Sequence, residues 1–244
     1  MLPSLLDALD EHELSATFFV EGLNAELYPD ALVEIAARGH ELAYHAWRHE
    51  QWDGLSAAEQ ADNVARGLTA FREQDLGFTG LRPPGGGLGP GAGGIELLRE
   101  AGLRYCSPAG EGVGVRDGVV LLPFQWRHVD ASCVLPPLAP VREQMSGSAD
   151  PLDPDAYLAY LEAELERLAS DGGGYVTFVF HLFMLEWLGW ERLAALLDRA
   201  AEAQKRSDLW PAPCAAVAEH ILADPDRFGD ETVLDPTSWA DSGG

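Results

Sequence analysis

The stretch GHELAYHAWRHEQW, residues 39–52, places His45 and His49 four positions apart, directly after an apolar run. One helical turn, or a suitably shaped loop, can aim two imidazoles at that spacing toward a single ion, and zinc accepts imidazole nitrogen at about 2.0–2.1 Å. Two histidines on one surface, or at a cap, would look the same, so spacing alone leaves both readings open. Other chemistry-bearing side chains close further apolar runs. Arg82 ends TGLR, Asp130 lies in WRHVDASC, and His181 ends GGGYVTFVFH. The ordinary alternatives are a strand-end arginine paired with an acid, a plain loop aspartate and a satisfied core histidine. His128 stands close enough to Asp130 to share its role or be mistaken for it. His12, His40 and His220 read as structural or surface residues. Trp47, Trp52 and Trp126 suit packing, and at the mouth of a site they would also offer a ring face. The glycine-rich loop 85–94 has neither the Gly-x-x-x-x-Gly-Lys pattern nor a basic residue, which argues against a phosphate cradle.

The elements that would position these residues follow from hydrophobic period. PSLLDALDEHE is amphipathic, with Leu5, Leu6 and Leu9 on one helical face. ATFFV (16–20) is a short, continuous apolar run and reads as a buried strand. YPDALVEIAARG is predicted as a helix, with Pro29 near its start and Gly39 past its end. ELAY then reads as a strand leading into the histidines. SAAE is a capping-box pattern at Ser56, opening a helix that extends to about Gln74. A strand near TGLRP, the glycine-rich loop, a helix IELLREAG and a strand around LRYCS follow. GVVLLPFQW is predicted as another strand, with a continuation after RHVDASCVL as an option. Residues 136–154, rich in Pro, Ser and Asp, read as a long loop. DPDAYLAYLEAELERLAS carries a helical stripe of Leu158, Leu161, Leu165 and Leu168. GGGYVTFVFH reads as the clearest strand of the chain, and WERLAALLDRAAEAQ as the helix after it. Alternating helices and continuous apolar strands imply an α/β fold with a parallel sheet, in which chemistry gathers at the C-terminal strand ends. The candidate residues all fall at such ends, which scattered core residues would not be expected to do.

Composition narrows the function classes. The 244 residues are 47% hydrophobic, enough for a sizeable core in one domain of α/β-barrel size. We expect that domain over residues 1–221, with the acidic, glycine-ended stretch 222–244 as a flexible tail. Forty acids against sixteen bases give a formal charge of −24, which repels nucleic acid and anionic membranes. No apolar run approaches the roughly 20 residues of a membrane span. The start, MLPSLLDALDEHEL, has no basic segment of a signal peptide, so the expected location is cytoplasmic for the sequence as written. Cys106, Cys133 and Cys214 are few, odd in number and widely spaced, and read as small buried hydrophobes.

Taken in order, ATFFVEG, GHELAYHAWRHE, GLRPPGG with ELLREAGLRY, FQWRHVDAS and VTFVFH resemble the polysaccharide deacetylase family, also called the NodB-homology or carbohydrate esterase 4 group. The resemblance covers roughly residues 3–200, and the histidine segment with its preceding GHE is the most specific part. HAWRHEQW is also similar to the corresponding stretch of deformylases of lipid-linked aminoarabinose in the same superfamily. The resemblance implies a distorted (β/α)7-type barrel holding one divalent metal, Zn2+ by preference. It implies that two histidines and an aspartate bind this metal, which activates water against an N-acyl carbonyl. Carried over, His45 and His49 match the histidine ligands and Arg82 the arginine that tethers the catalytic base. Asp130 matches the aspartate that orients an acid histidine, and His181 matches that acid. Val179 would help line a small acyl pocket.

Two departures qualify the match. The family's first motif is a strand ending in paired aspartates, which supply the base and the third metal ligand. It should precede the helix that begins here at Pro3, and Asp7 and Asp10 lie within that helix instead. The barrel expected from the sequence as written therefore lacks its first strand. An upstream start is the favoured account, with a shortened, catalytically weak homologue or a substitute carboxylate as alternatives. Gly85 and Gly86 also stand where an aromatic often follows the proline. The expected function is a metal-dependent hydrolase that removes an N-acyl group, acetyl foremost, from an amino sugar or related carbohydrate amide. The alternatives are a catalytically impaired deacetylase-like protein with a binding or scaffold role, and a deformylase or amidase for a lipid-linked or small-molecule amide.

Overall fold

The computed structural model describes residues 1–88 and 93–235. In chain order its first half contains α1 (Leu2–Glu11), β1 (Thr17–Val20), α2 (Asn24–Leu27), α3 (Pro29–Ala37), β2 (Glu41–Tyr44), α4 (Ala57–Arg72), β3 (Gly80–Leu81) and α5 (Gly93–Glu100). Then come β4 (Tyr105–Cys106), β5 (Gly110–Glu111), β6 (Gly114–Arg116) and β7 (Val119–Leu121). The remainder is α6 (Ala139–Ser146), α7 (Pro154–Asp171), α8 (Leu185–Leu188), α9 (Trp190–Lys205), α10 (Cys214–Ala223), α11 (Pro225–Phe228) and β8 (Val233–Leu234). Backbone contacts group these into two compact units. One joins Met1–Ser15 to Phe124–Pro211, and the other joins Ala16–Pro123 to the chain from Ala212 onward.

The second unit holds the sheet, in the order β1-β2-β3-β4-β7-β6. Neighbours from β1 to β7 run parallel, and β6 returns antiparallel against β7. The central strands are largely apolar because both faces are covered, and every residue of β7 is fully buried. Register aligns the strand ends in one row: Val20, Tyr44, Leu81, Cys106 and Leu121 are successive partners. His45, Arg82 and Ser107 are therefore consecutive in the next row, and their amides donate to the carbonyls of Val20, Tyr44 and Leu81. Sheet register brings these three side chains together, although 62 positions separate the first from the last.

At the opposite strand ends a half-buried carboxylate ties a helix to the sheet. Glu41 accepts hydrogen bonds from Thr17 Oγ1 and Tyr105 Oη, both at 2.7 Å, and from the Ala215 amide at 2.9 Å. The Cys214 amide in turn donates to Thr17 Oγ1. The first amides of α10, which has no side-chain cap of its own, thus find acceptors, and a negative charge faces its positive end. Two glycines mark close approaches. Gly67 sits mid-helix in α4 where the Tyr44 ring occupies the place of a Cβ, and a Cβ on Gly80 would overlap the Tyr105 ring across the β3–β4 pairing. Tyr105 is fully buried and tethered to Glu41, so it has little room to move. Gly80→Ala is expected to destabilise the protein by about 2–3 kcal/mol through overpacking. A lower denaturation midpoint at unchanged slope would show it, whereas a loss under about 0.5 kcal/mol would mean that the β3–β4 approach is not tight.

The first unit is helical. Cys133, Tyr157, Leu161, Leu185, Leu188, Leu193 and Leu196 form its core, with Leu158 and Leu165 of the predicted stripe packed against it. Asp153 caps α7 by accepting from the amides of Asp155 and Ala156. Two expectations fail in this unit. Residues 136–154 are not one loop, because α6 runs through them. Pro140 falls within its first turn, where a missing N–H does no harm, and Gly147 closes it in the left-handed conformation. The segment 176–180 is not an extended strand either; it makes a single parallel bridge, Val129↔Val179. Its neighbour is wound into short 3-10 turns at Trp126–His128 and Asp130–Cys133, which cannot sustain a ladder. For the same reason the strand of GVVLLPFQW does not continue past RHVDASCVL.

Of the stretch 222–244, expected as a flexible tail, residues up to 235 carry α11 and β8, the latter pairing with β5. Arg116 fastens this return through Asp230 Oδ2 at 2.6 Å and the Thr232 carbonyl at 2.9 Å. Residues 236–244 lie outside the described residues, as do 89–92 of the glycine-rich loop. Among the described residues, no helix is long and apolar enough to cross a membrane.

Candidate functional site

Two groups of candidate side chains emerge, one in each unit. In the sheet unit the chain leaves β2 at Tyr44 and turns sharply rather than entering a helix. Ala46 and His49 both take left-handed backbone, with φ of 59° and 60°. A non-glycine residue pays of order 1 kcal/mol for that conformation, and such strain concentrates where function requires a particular shape. The loop is held nonetheless. Gly22 and Leu23 donate to the carbonyls of Ala46 and Trp47, and the Glu50 carboxylate accepts from the amides of Trp47 and Arg48 at 3.0 and 2.9 Å. Burial would raise the Glu50 pKa, but the amide donors and Asn63 outweigh it and hold the carboxyl below its usual range.

This turn brings the His45 and His49 rings to a centroid distance of 4.8 Å, nearly perpendicular at 83°. His45 Nδ1 lies 2.7 Å from the Arg82 carbonyl oxygen. A carbonyl only accepts, so Nδ1 carries the hydrogen and Nε2 holds the lone pair of the neutral ring. Arg82 is buried, its Nε and Nη2 donate to Ser107 Oγ at 3.2 and 3.0 Å, and its guanidinium lies 4.1 Å from the Phe19 ring centroid. Glu50 and Ser107 are contributors that sequence reasoning missed. For Ser107 a signal existed, since it follows β4 as His45 follows β2.

In the helical unit, the Val129↔Val179 bridge sets a short ladder. The Val179 amide donates to His128 O, and the Asp130 amide to Val179 O. At the next rung the Asp130 side chain replaces a backbone carbonyl, and Oδ2 accepts the His181 amide at 2.7 Å. Oδ1 lies 2.6 Å from both the Ala131 amide nitrogen and His181 Nδ1. The fully buried carboxylate thus takes three N–H donors and fixes the His181 tautomer, leaving Nε2 for chemistry on a side chain that is 32% exposed. Asp130, not His128, is the partner of His181. His128 faces the other way, toward Tyr160 Oη at 3.2 Å and Glu164 at 3.6 Å. Burial foremost, with Arg127 adding, pushes its pKa down to about 4, so it is neutral near pH 7.

Among the tryptophans, Trp47 and Trp52 are buried, and Arg66 stacks 3.6 Å from the Trp47 centroid, so both act in packing. All three cysteines are buried, and burial pushes the Cys133 thiol up to about 12, which suits packing rather than nucleophilic chemistry.

Residues 1–106, which include His45, His49 and Arg82, match the family model for polysaccharide deacetylase. A peptidoglycan-N-acetylglucosamine deacetylase of Listeria monocytogenes is 32% identical over 182 residues, covering 72% of this chain. The chain belongs to the polysaccharide deacetylase family. Among other members, a peptidoglycan-N-acetylmuramic acid deacetylase of Bacillus subtilis is 30% identical over 90 residues, 34% of this chain. The chain spans only 34% of the Listeria protein and 18% of the Bacillus one. A crystal structure of a Mycobacterium smegmatis protein described as a polysaccharide deacetylase superposes with a TM-score of 0.77 at 29% identity, covering 97% of this chain and 81% of that one. The α/β class and parallel sheet expected from the alternation of helices and apolar strands are those observed.

The donor set of this family member suits a divalent ion of zinc's type. Two imidazoles lie close together, and His45 gives its Nδ1–H to a carbonyl, the arrangement that orients a ligating histidine and raises the basicity of its other nitrogen. Among the described residues, no third His, Cys, Asp or Glu groups with them.

Proposed function

We propose that the chain is a metal-dependent hydrolase that removes an N-acyl group, acetyl foremost, from an amino sugar or related carbohydrate amide. The observation that carries this reading is the Asp130–His181 pair, a buried carboxylate holding one imidazole tautomer so that Nε2 is available to move a proton. Amide cleavage needs such a device, because an amine leaves only when its nitrogen is protonated. His181 supplies that proton from Nε2, and Asp130 steadies the imidazolium. His45 and His49 hold the divalent metal, taken as zinc. When bound, such an ion polarises the acyl carbonyl and lowers the pKa of water. Arg82, braced by Ser107 and Phe19, takes the place of the family's base-tethering arginine.

The test is acetate release by the full chain from N-acetylated peptidoglycan fragments and chitooligosaccharides, with and without added zinc. Acetate that rises with zinc and stops with a chelator is expected. No release from any acetylated substrate at any zinc level would favour the non-catalytic, scaffold reading instead.

A further inference from the structure

Phe183 is 62% exposed, so its ring forgoes the stabilisation that burial would bring. The backbone gives it no route inward. His181, two residues before it, is tied to Asp130 at both its amide and its ring. The Met184 amide closes a turn on the His181 carbonyl at 2.8 Å, and Met184 and Leu185 are anchored in the interior. Between these fixed points the Phe183 ring is held outward, its centroid 5.2 Å from the His181 ring at an angle of 42°. Leu182, 39% exposed, extends the apolar surface. An anionic membrane is a poor occupant for this patch on a chain of formal charge −24. A pyranose suits it: its C–H face packs on an aromatic ring while its hydroxyl and amide edges remain hydrated.

We propose that Phe183 is a platform on which a pyranose ring of the substrate packs beside His181, making the enzyme selective for N-acetylated oligosaccharides over small isolated amides. This rests on the hydrolase reading above and narrows its substrate class. The platform acts on binding and places the sugar nitrogen near the proton donor; it takes no part in bond cleavage.

The experiment compares the parent chain, Phe183→Ala and Phe183→Trp on tetra-N-acetylchitotetraose and on 4-nitroacetanilide, with tetrasaccharide binding measured separately by calorimetry. In Phe183→Ala, KM and Kd for the tetrasaccharide should rise about fivefold or more, with kcat less affected. Selectivity over the anilide should fall by a similar factor, and Phe183→Trp should restore it. Equal losses on both substrates would overturn the platform and leave Phe183 as a prop for the His181 ring. So would unchanged tetrasaccharide binding in Phe183→Ala, or no tetrasaccharide binding by the parent. A parent that binds the tetrasaccharide through Phe183 yet releases no acetate would sink the hydrolase reading and keep the platform. A parent that cleaves the anilide but gains nothing from the saccharide would do the reverse.

Discussion

Asparagine in place of Asp130 is expected to lower kcat for acetate release about a thousandfold, with KM changing much less. Both carboxylate oxygens accept: Oδ2 from the His181 amide, and Oδ1 from the Ala131 amide and His181 Nδ1–H. An amide side chain must place an NH2 group at one of these positions. Facing the His181 backbone, it sets donor against donor and loosens the turn that carries the ring. Facing Nδ1, it forces the other tautomer and removes the charge that steadies the imidazolium. Either way Nε2 loses its function as a proton source, while groups that only bind substrate keep theirs. A buried donor left unpaired also lowers stability by about 1–3 kcal/mol, so thermal unfolding should be followed alongside turnover to confirm that the variant is folded when assayed. Turnover within tenfold of the parent would remove the Asp130–His181 pair from the chemistry.

Local patterns read from the sequence hold wherever local energetics decide the outcome. Ser56 and Glu59 form the reciprocal cap that SAAE suggests, with Ser56 N donating to Glu59 Oε2 at 2.8 Å and Glu59 N to Ser56 Oγ at 3.3 Å. β1, β2, β4 and β7 fall within their apolar runs. The failures share a cause: an apolar β-branched segment becomes a strand only where a neighbour offers a matching ladder. VTFVF meets 3-10 turns, so one bridge forms where five residues were expected to pair. α6 was hidden by composition, since Pro, Ser and Gly count as loop residues on average but belong at the ends of a helix.

The candidate site was legible in residue type and less so in geometry. A spacing of four left a helical turn and a loop both open for His45 and His49; the rings meet through a loop with two left-handed residues, and no periodicity rule predicts positive φ at an alanine or a histidine. Asp130 stood level with a plain loop aspartate because its partner is 51 positions away. Phe183 passed unnoticed since one phenylalanine in LFMLEWL resembles its buried neighbours, and only the turn after His181 separates the exposed side chain from the anchored ones.

The conformation of His49 leads to the second large effect. The residue is exposed and sits at φ 60°, where glycine is at ease and histidine is strained. His49→Gly is therefore expected to make the metal-free protein up to about 1 kcal/mol more stable. The same change should weaken zinc binding at least about a hundredfold, since altering a mere partner of a ligand already costs 10–100-fold. His45→Ala should match that loss of zinc without the gain in stability, because its ring is half-buried and bonded to the Arg82 carbonyl. Zinc affinity measured by competition with a chromophoric chelator, together with urea midpoints of the metal-free proteins, separates these effects. Opposite signs for stability and affinity at His49 are what a residue held in strain for ligation would produce. Unchanged zinc affinity in both variants would remove the histidine pair from the metal, and the proposed metal-dependent hydrolase with it.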